Sequence, residues 1–149
     1  MSQAPASQRI EAPTADDNDR IARQFIHADA LVRAVTGAEL TSRLTDLSLL
    51  QRVIDAKVVE PEATASLQSL GIVLGMVFQR SVEHDDWWMV EEEYGRDYAL
   101  RYKDTALLAF AQTMISKRVE DGEAVDVQAL FDGLRGRLEE FQAGIDSRR

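Results

Sequence analysis

The densest group of possible metal ligands in the chain is Glu83-His84-Asp85-Asp86. Ligands must converge on one point, and consecutive residues at a helix end point in different directions. A solvated helix terminus, with its histidine near the negative end of the helix dipole, suits this run better. Glu91-Glu92-Glu93 supplies carboxylates, and acid–base work needs two of them in one cleft with separated pKa values. Successive residues on a strand alternate faces, so these three read as edge charges that discourage sheet-to-sheet aggregation. His27 and Asp29 are two apart on a helix and do not share a face, which makes His27 a surface or packed histidine. With His84 it completes the two histidines of the chain. No G-x-S-x-G, phosphate-cradling glycine loop or H-E-x-x-H pattern occurs. The expectation is therefore no catalytic residue, no metal and no cofactor, in a protein that leans away from being an enzyme.

The residues that invite a binding role lie on an aromatic-rich segment, Asp86 to Lys103. Tyr94-Gly95 is a turn signal between two such runs and predicts a β-hairpin. A two-residue loop pairing Trp87 with Tyr102 would leave Glu91 on the apolar face. A three-residue loop with Gly95 left-handed aligns Trp88 and Val90 with Tyr98, Leu100 and Tyr102, giving one wholly apolar face. That register is preferred. It turns Trp87 and Met89 outward with Glu91, Asp97, Ala99 and Arg101. Tryptophan is enriched among binding hot spots, so Trp87, Met89 and Arg101 are the expected partner-binding residues. The plainer alternative is that a helix or the N-terminal tail covers the outer face.

Such a hairpin needs a scaffold, and the scaffold centres on one helix. In Leu67 to Phe78, the residues Leu67, Leu70, Leu74, Val77 and Phe78 recur at helical spacing, while Ile72, Val73 and Met76 make the remaining faces apolar. A helix apolar all round is buried. Its apolar run of about nine residues is far short of the roughly 20 that span a bilayer. Gly71 and Gly75, one turn apart on such a helix, predict that another backbone packs close to them. The helix is expected over about 61–83, with Pro61 in its first turn.

Four more helices are expected around it. One runs from about Asp16 to Thr36 with Ile21, Phe25, Ala28, Val32 and Val35 inward. Thr14 with Asp17 resembles a capping box, and Gly37 is the stop. A second, ending near Ala56, uses Leu44, Leu47, Leu50 and Ile54 as its core face. After the hairpin comes either a helix from Thr105, or a short third strand at Ala106 to Phe110 with the helix starting near Gln112; Gly122 ends that helix. The last begins at Asp126 as N-cap, with Leu130, Leu134, Leu138, Phe141 and Ile145 inward. The fold class is thus α+β, mainly helical: about five helices around a buried central one, plus a small antiparallel hairpin or three-stranded meander over about 87–110. Positions 1–14 are expected as a disordered tail, 15–146 as a single domain and 147–149 as a frayed end.

The bulk numbers bound the partners. The 149 residues suit one domain plus a tail. There is no cysteine, which excludes disulfides and thiol chemistry. Lys and Arg total 17 against 26 Asp and Glu, a formal net charge of −9. That balance disfavours nucleic acid and anionic membrane surfaces. The N-terminus has no secretory pattern, and the expected location is the cytoplasm.

Several stretches taken together resemble an uncharacterised bacterial family, domain of unknown function 3806. They are Leu67-Gln68-Ser69-Leu70-Gly71-Ile72-Val73-Leu74-Gly75, Trp88 with Glu93-Tyr94-Gly95-Arg96-Asp97, and Lys117-Arg118-Val119-Glu120-Asp121-Gly122-Glu123 followed by Val125-Asp126-Val127. The resemblance spans roughly Leu44 to Leu138. It favours the short third strand, although the family's proline after Phe110 is here Ala111. It implies no reaction, cofactor or site residue. The leading expectation is a non-catalytic protein-binding module of a bacterial cytoplasm that neutralises or escorts a basic partner, toxin neutralisation being one version. Self-association through the hairpin is a further option. The alternative is a small enzyme or ligand-binding domain with a pocket between hairpin and helices.

Overall fold

The computed structural model describes residues 8–82, 85–93 and 95–146. Its centre is α3, Thr64–Ser81, on which Leu67, Leu70, Ile72, Val73, Leu74, Val77 and Phe78 are all buried. The helix is shorter than the expected 61–83. Pro61 falls instead in a turn closed by the Ala63 amide on the Glu60 carbonyl at 2.9 Å, at the second position, where proline's fixed φ is favoured.

Around α3 lie α1 (Ala15–Thr36), α2 (Asp46–Asp55), a 3-10 turn (Ala111–Thr113), α4 (Met114–Glu120) and α5 (Val127–Asp146). The close backbone expected at the glycines of α3 is found at Gly71, whereas Gly75 admits a side chain instead. A Cβ at Gly71 would collide with the backbone carbonyls of Gln112 and Ala111, and one at Gly75 would meet the Trp87 ring at 2.5–2.8 Å. The 3-10 turn and the hairpin therefore settle directly onto the helix backbone. α1 carries the expected Thr14–Asp17 capping box and stops at left-handed Gly37. α5 starts behind Asp126, whose carboxylate accepts the Ala129 amide at 3.0 Å. On α2, Leu47, Leu50 and Val53 are buried, but Leu44 precedes the helix and is 55% exposed; the expected core role for Leu44 is corrected.

The sheet is an antiparallel meander in the order β1 (Arg9–Glu11), β2 (Asp85–Glu92), β3 (Gly95–Tyr102), β4 (Leu108–Ala109). β4 is the short third strand that the sequence left as one of two options. β1 was not foreseen: part of the supposed tail pairs with β2 through Ile10 and Val90. Positions 1–7 and 147–149, also expected to be unstructured, lie outside the described residues, as do Glu83 and His84.

The hairpin register corrects the expectation. Trp87 faces Leu100, Met89 faces Tyr98 and Glu92 faces Gly95, and Gly95 is a strand residue without a positive φ. This is one residue away from the preferred pairing, and a slip of one exchanges the two faces. Trp87 and Met89 consequently point toward α3, with Tyr98, Leu100 and Tyr102. Both faces of the ribbon are apolar, so alternation had no power to choose between them. Tertiary contacts choose: the Trp87 ring fits over Gly75, and Arg96 and Tyr98 reach α1.

Candidate functional site

The register that takes Trp87 and Met89 inward brings a different set outward. Ile10, Trp88, Val90, Ala99, Arg101 and Leu108 share the outer face of the sheet. Val90, Ala99 and Leu108 are buried among one another and packed by Ile10 and Phe110, a cluster separate from the main core. Trp88, half-buried, lies beneath the Arg101 guanidinium, whose carbon is 5.0 Å from the ring centroid. Arg101 is held there from behind. Its Nε donates to the Thr105 carbonyl at 2.8 Å and its Nη2 to the Asp104 carbonyl at 3.1 Å. A planar guanidinium suits this combination of stacking and forked donation. Asp86, Glu92 and Asp97 lie on the same face by register and are exposed. The accessible part of this face is the half-buried Trp88 with its stacked cation and an acidic rim, over a buried apolar strip.

Of the three residues expected to bind a partner, only Arg101 is on this face. Met89 is 2% exposed and belongs to an inner cluster with Ile21, Ile72 and Tyr98. Trp87 packs edge-on to Tyr98, ring centroids 6.4 Å apart, and its buried Nε1 has no hydrogen-bond partner. Trp88 was missed. The signal was the Trp87-Trp88 doublet itself, which sends one indole to each face in any register.

The acids of the described core are structural. Asp17, fully buried, accepts Arg96 Nη1 and Nη2 at 2.6 and 2.7 Å, Arg20 Nη2 at 3.0 Å and the Thr14 amide at 2.8 Å. The Arg96 hydrogen bonds, with help from Thr14 and against the cost of burial, hold its carboxyl far below the usual carboxylate range. Burial acts to raise Asp29, but the Leu40 amide and Arg33 outweigh it and the net shift is downward. Asp46 accepts the Thr41 and Ser42 amides and closes the loop before α2. His27 is exposed, its Nε2 2.8 Å from Ser66 Oγ. Among the described residues no three His, Asp or Glu side chains converge on a metal position.

The expected pocket between hairpin and helices amounts to an apolar cavity of about 20 Å³ among Phe78, Leu100, Tyr102, Leu134 and Leu138. That is room for one water or so. A larger recess, about 320 Å³, lies instead under the connector between α2 and α3, lined by Val53, Val59, Leu67, Leu70 and Val119 with Lys57 and Glu60.

Fold and surface together define a mainly helical α+β domain that carries an antiparallel sheet on a glycine-notched central helix. Residues 46–131 match the family model described as "Domain of unknown function (DUF3806)", and the chain belongs to that family. No curated protein matches its sequence. Among solved structures it resembles a crystal structure from Bacteroides thetaiotaomicron VPI-5482 at 1.50 Å resolution. The TM-score is 0.79 at 14% identity, over 85% of this chain and 46% of that one. At that identity the likeness concerns the fold alone, and this chain spans less than half of that protein's length. No described helix is long and apolar enough to cross a membrane.

Proposed function

We propose that this domain is a non-catalytic protein-binding module of a bacterial cytoplasm, and that it takes a basic partner on the outer face of its sheet. The observation that carries the reading is the Trp88–Arg101 stack. It is a half-buried aromatic ring beneath a guanidinium that backbone carbonyls hold in place, over a buried apolar strip and flanked by Asp86, Glu92 and Asp97. Anchors of this composition dominate binding energy, and an acidic rim speeds encounter with a cationic surface. The net charge of −9 acts in the same direction over longer range.

Quantitative capture from the bacterial host, with the parent and the Trp88→Ala and Asp97→Asn variants as baits, tests this. The reading expects a basic protein retained by the parent, lost with Trp88→Ala, and captured less at higher salt. Equal capture by parent and Trp88→Ala would remove the surface.

A ligand-binding role has one observation in its favour, the recess beneath Lys57 to Pro61. It falls in the size range of small-molecule sites and is mostly apolar with few polar groups. Native mass spectrometry of protein purified from its host would reveal a retained small molecule.

A further inference from the structure

A second, unrelated feature lies at the opposite end of α3 from that recess. Where the loop before α2 meets the last turn of α3, an open groove of about 600 Å³ has Arg43, Leu44 and Thr45 on one side and Arg80 and Ser81 on the other. No carboxylate among the described residues lines it. Asp46, the acid nearest Arg43 in sequence, is fully buried, and its carboxylate is occupied by the Thr41 and Ser42 amides at 2.6–3.1 Å.

Arginine side chains divide among the described residues: some pair with carboxylates, and others, Arg23 and Arg52 included, have no side-chain partner. Arg9, Arg20, Arg33, Arg96 and Arg135 all pair with carboxylates. Arg43 and Arg80 have no side-chain hydrogen bond or ion pair among the described residues. Arg80 alone has an ordinary explanation, since a cation complements a helix C-terminus. Arg43 is exposed on the loop that leads into α2. It follows Ser42, a non-glycine residue held at φ 60° by the Asp46 carboxylate. A backbone conformation that L residues rarely adopt thus sets the wall that Arg43 occupies, and local strain of this kind is concentrated at functional sites.

We propose that this groove binds a small organic phosphate. Arg43 and Arg80 grip the phosphate from opposite walls, as paired guanidiniums grip phosphate elsewhere. The Ser42 and Thr45 hydroxyls supply further donors, while Ser81 and Thr41 already donate to the Phe78 carbonyl and to Asp46. Leu44, 55% exposed, and Val77 offer an apolar flank to the organic part.

The test is an amide NMR titration of the full chain with phenyl phosphate and with inorganic phosphate. The expected result is saturable shifts at Ser42 to Thr45 and at Arg80 and Ser81, with phenyl phosphate binding more tightly. Arg43→Gln and Arg80→Gln should each weaken it about tenfold, the loss of one charge-assisted contact. Arg52→Gln, which removes an unpaired arginine from a different groove, should leave affinity unchanged. Amide spectra of each variant without ligand establish that its fold is intact. Three results would overturn the assignment: no saturable shift with either probe, parental affinity in both groove variants, or equal weakening by Arg52→Gln. Inorganic phosphate binding as tightly as phenyl phosphate would overturn the organic part of it.

Discussion

Arg96 closes both terminal guanidinium nitrogens onto the carboxylate of Asp17, 79 positions earlier in the chain, at 2.6 and 2.7 Å. The contact ties the hairpin to the first turn of α1, and the Tyr98 hydroxyl doubles it by donating to the Asp17 carbonyl at 3.1 Å. Replacing Arg96 with Met keeps most of the packing and removes the charge. Asp17 would then be buried with only Arg20 opposite, and breaking such a pair costs about 3 kcal/mol. Urea denaturation of Arg96→Met should show that loss.

The same pair sets an acid limb. The folded-state pKa of Asp17 lies below its unfolded value of about 3.9. Its contribution is therefore complete above about pH 4 and disappears as the pH falls through the folded value. Stability should drop steeply with acid below that point in the parent and less steeply in Arg96→Met, as followed by denaturant midpoints from neutral pH downward.

Glycines on different helices should respond oppositely to alanine. Gly71→Ala gains about 1 kcal/mol of helix propensity but drives a methyl into two backbone carbonyls that cannot move aside. A net loss of about 2 kcal/mol is expected, in the range for overpacking. Gly133, on α5, has nothing within 4 Å of an added Cβ, so Gly133→Ala should stabilise by about 0.5–1 kcal/mol. Thermal melts of the two variants distinguish the cases by sign.

The two tryptophans should separate stability from capture. Trp87→Ala opens a cavity over Gly75 and should cost about 3 kcal/mol, toward the low end for such changes because the ring is half-buried. Trp88→Ala should cost about 1 kcal/mol, the loss of its cation–π contact and some area. Calorimetry alongside the capture assay checks both.

The helical frame was readable because its signals are local. The Leu67–Phe78 pattern, the Thr14–Asp17 box and the Gly37 stop each act within a turn or two of chain. The hairpin register was not readable. It depends on Arg96 finding Asp17 and on Trp87 finding Gly75, contacts between distant positions that leave no periodic trace. One missed residue of slip was enough to exchange Trp87 for Trp88 in the candidate surface, while Arg101 kept its place. β1 escaped for a related reason, since three residues among Gln, Ala, Ser and Pro carry too little alternation to announce a strand.

Because consecutive indoles occupy opposite sides of one ribbon, the chain holds two built-in optical probes. Trp87, its N–H buried without an acceptor and its ring packed on Gly75, should emit at the shorter wavelength and report on melting of the interior. Trp88, beneath a guanidinium and partly wet, should emit further to the red and respond when anything settles over it. A pair of Trp→Phe variants, each leaving one fluorophore, would let unfolding and docking be followed as two separate colours in the same protein.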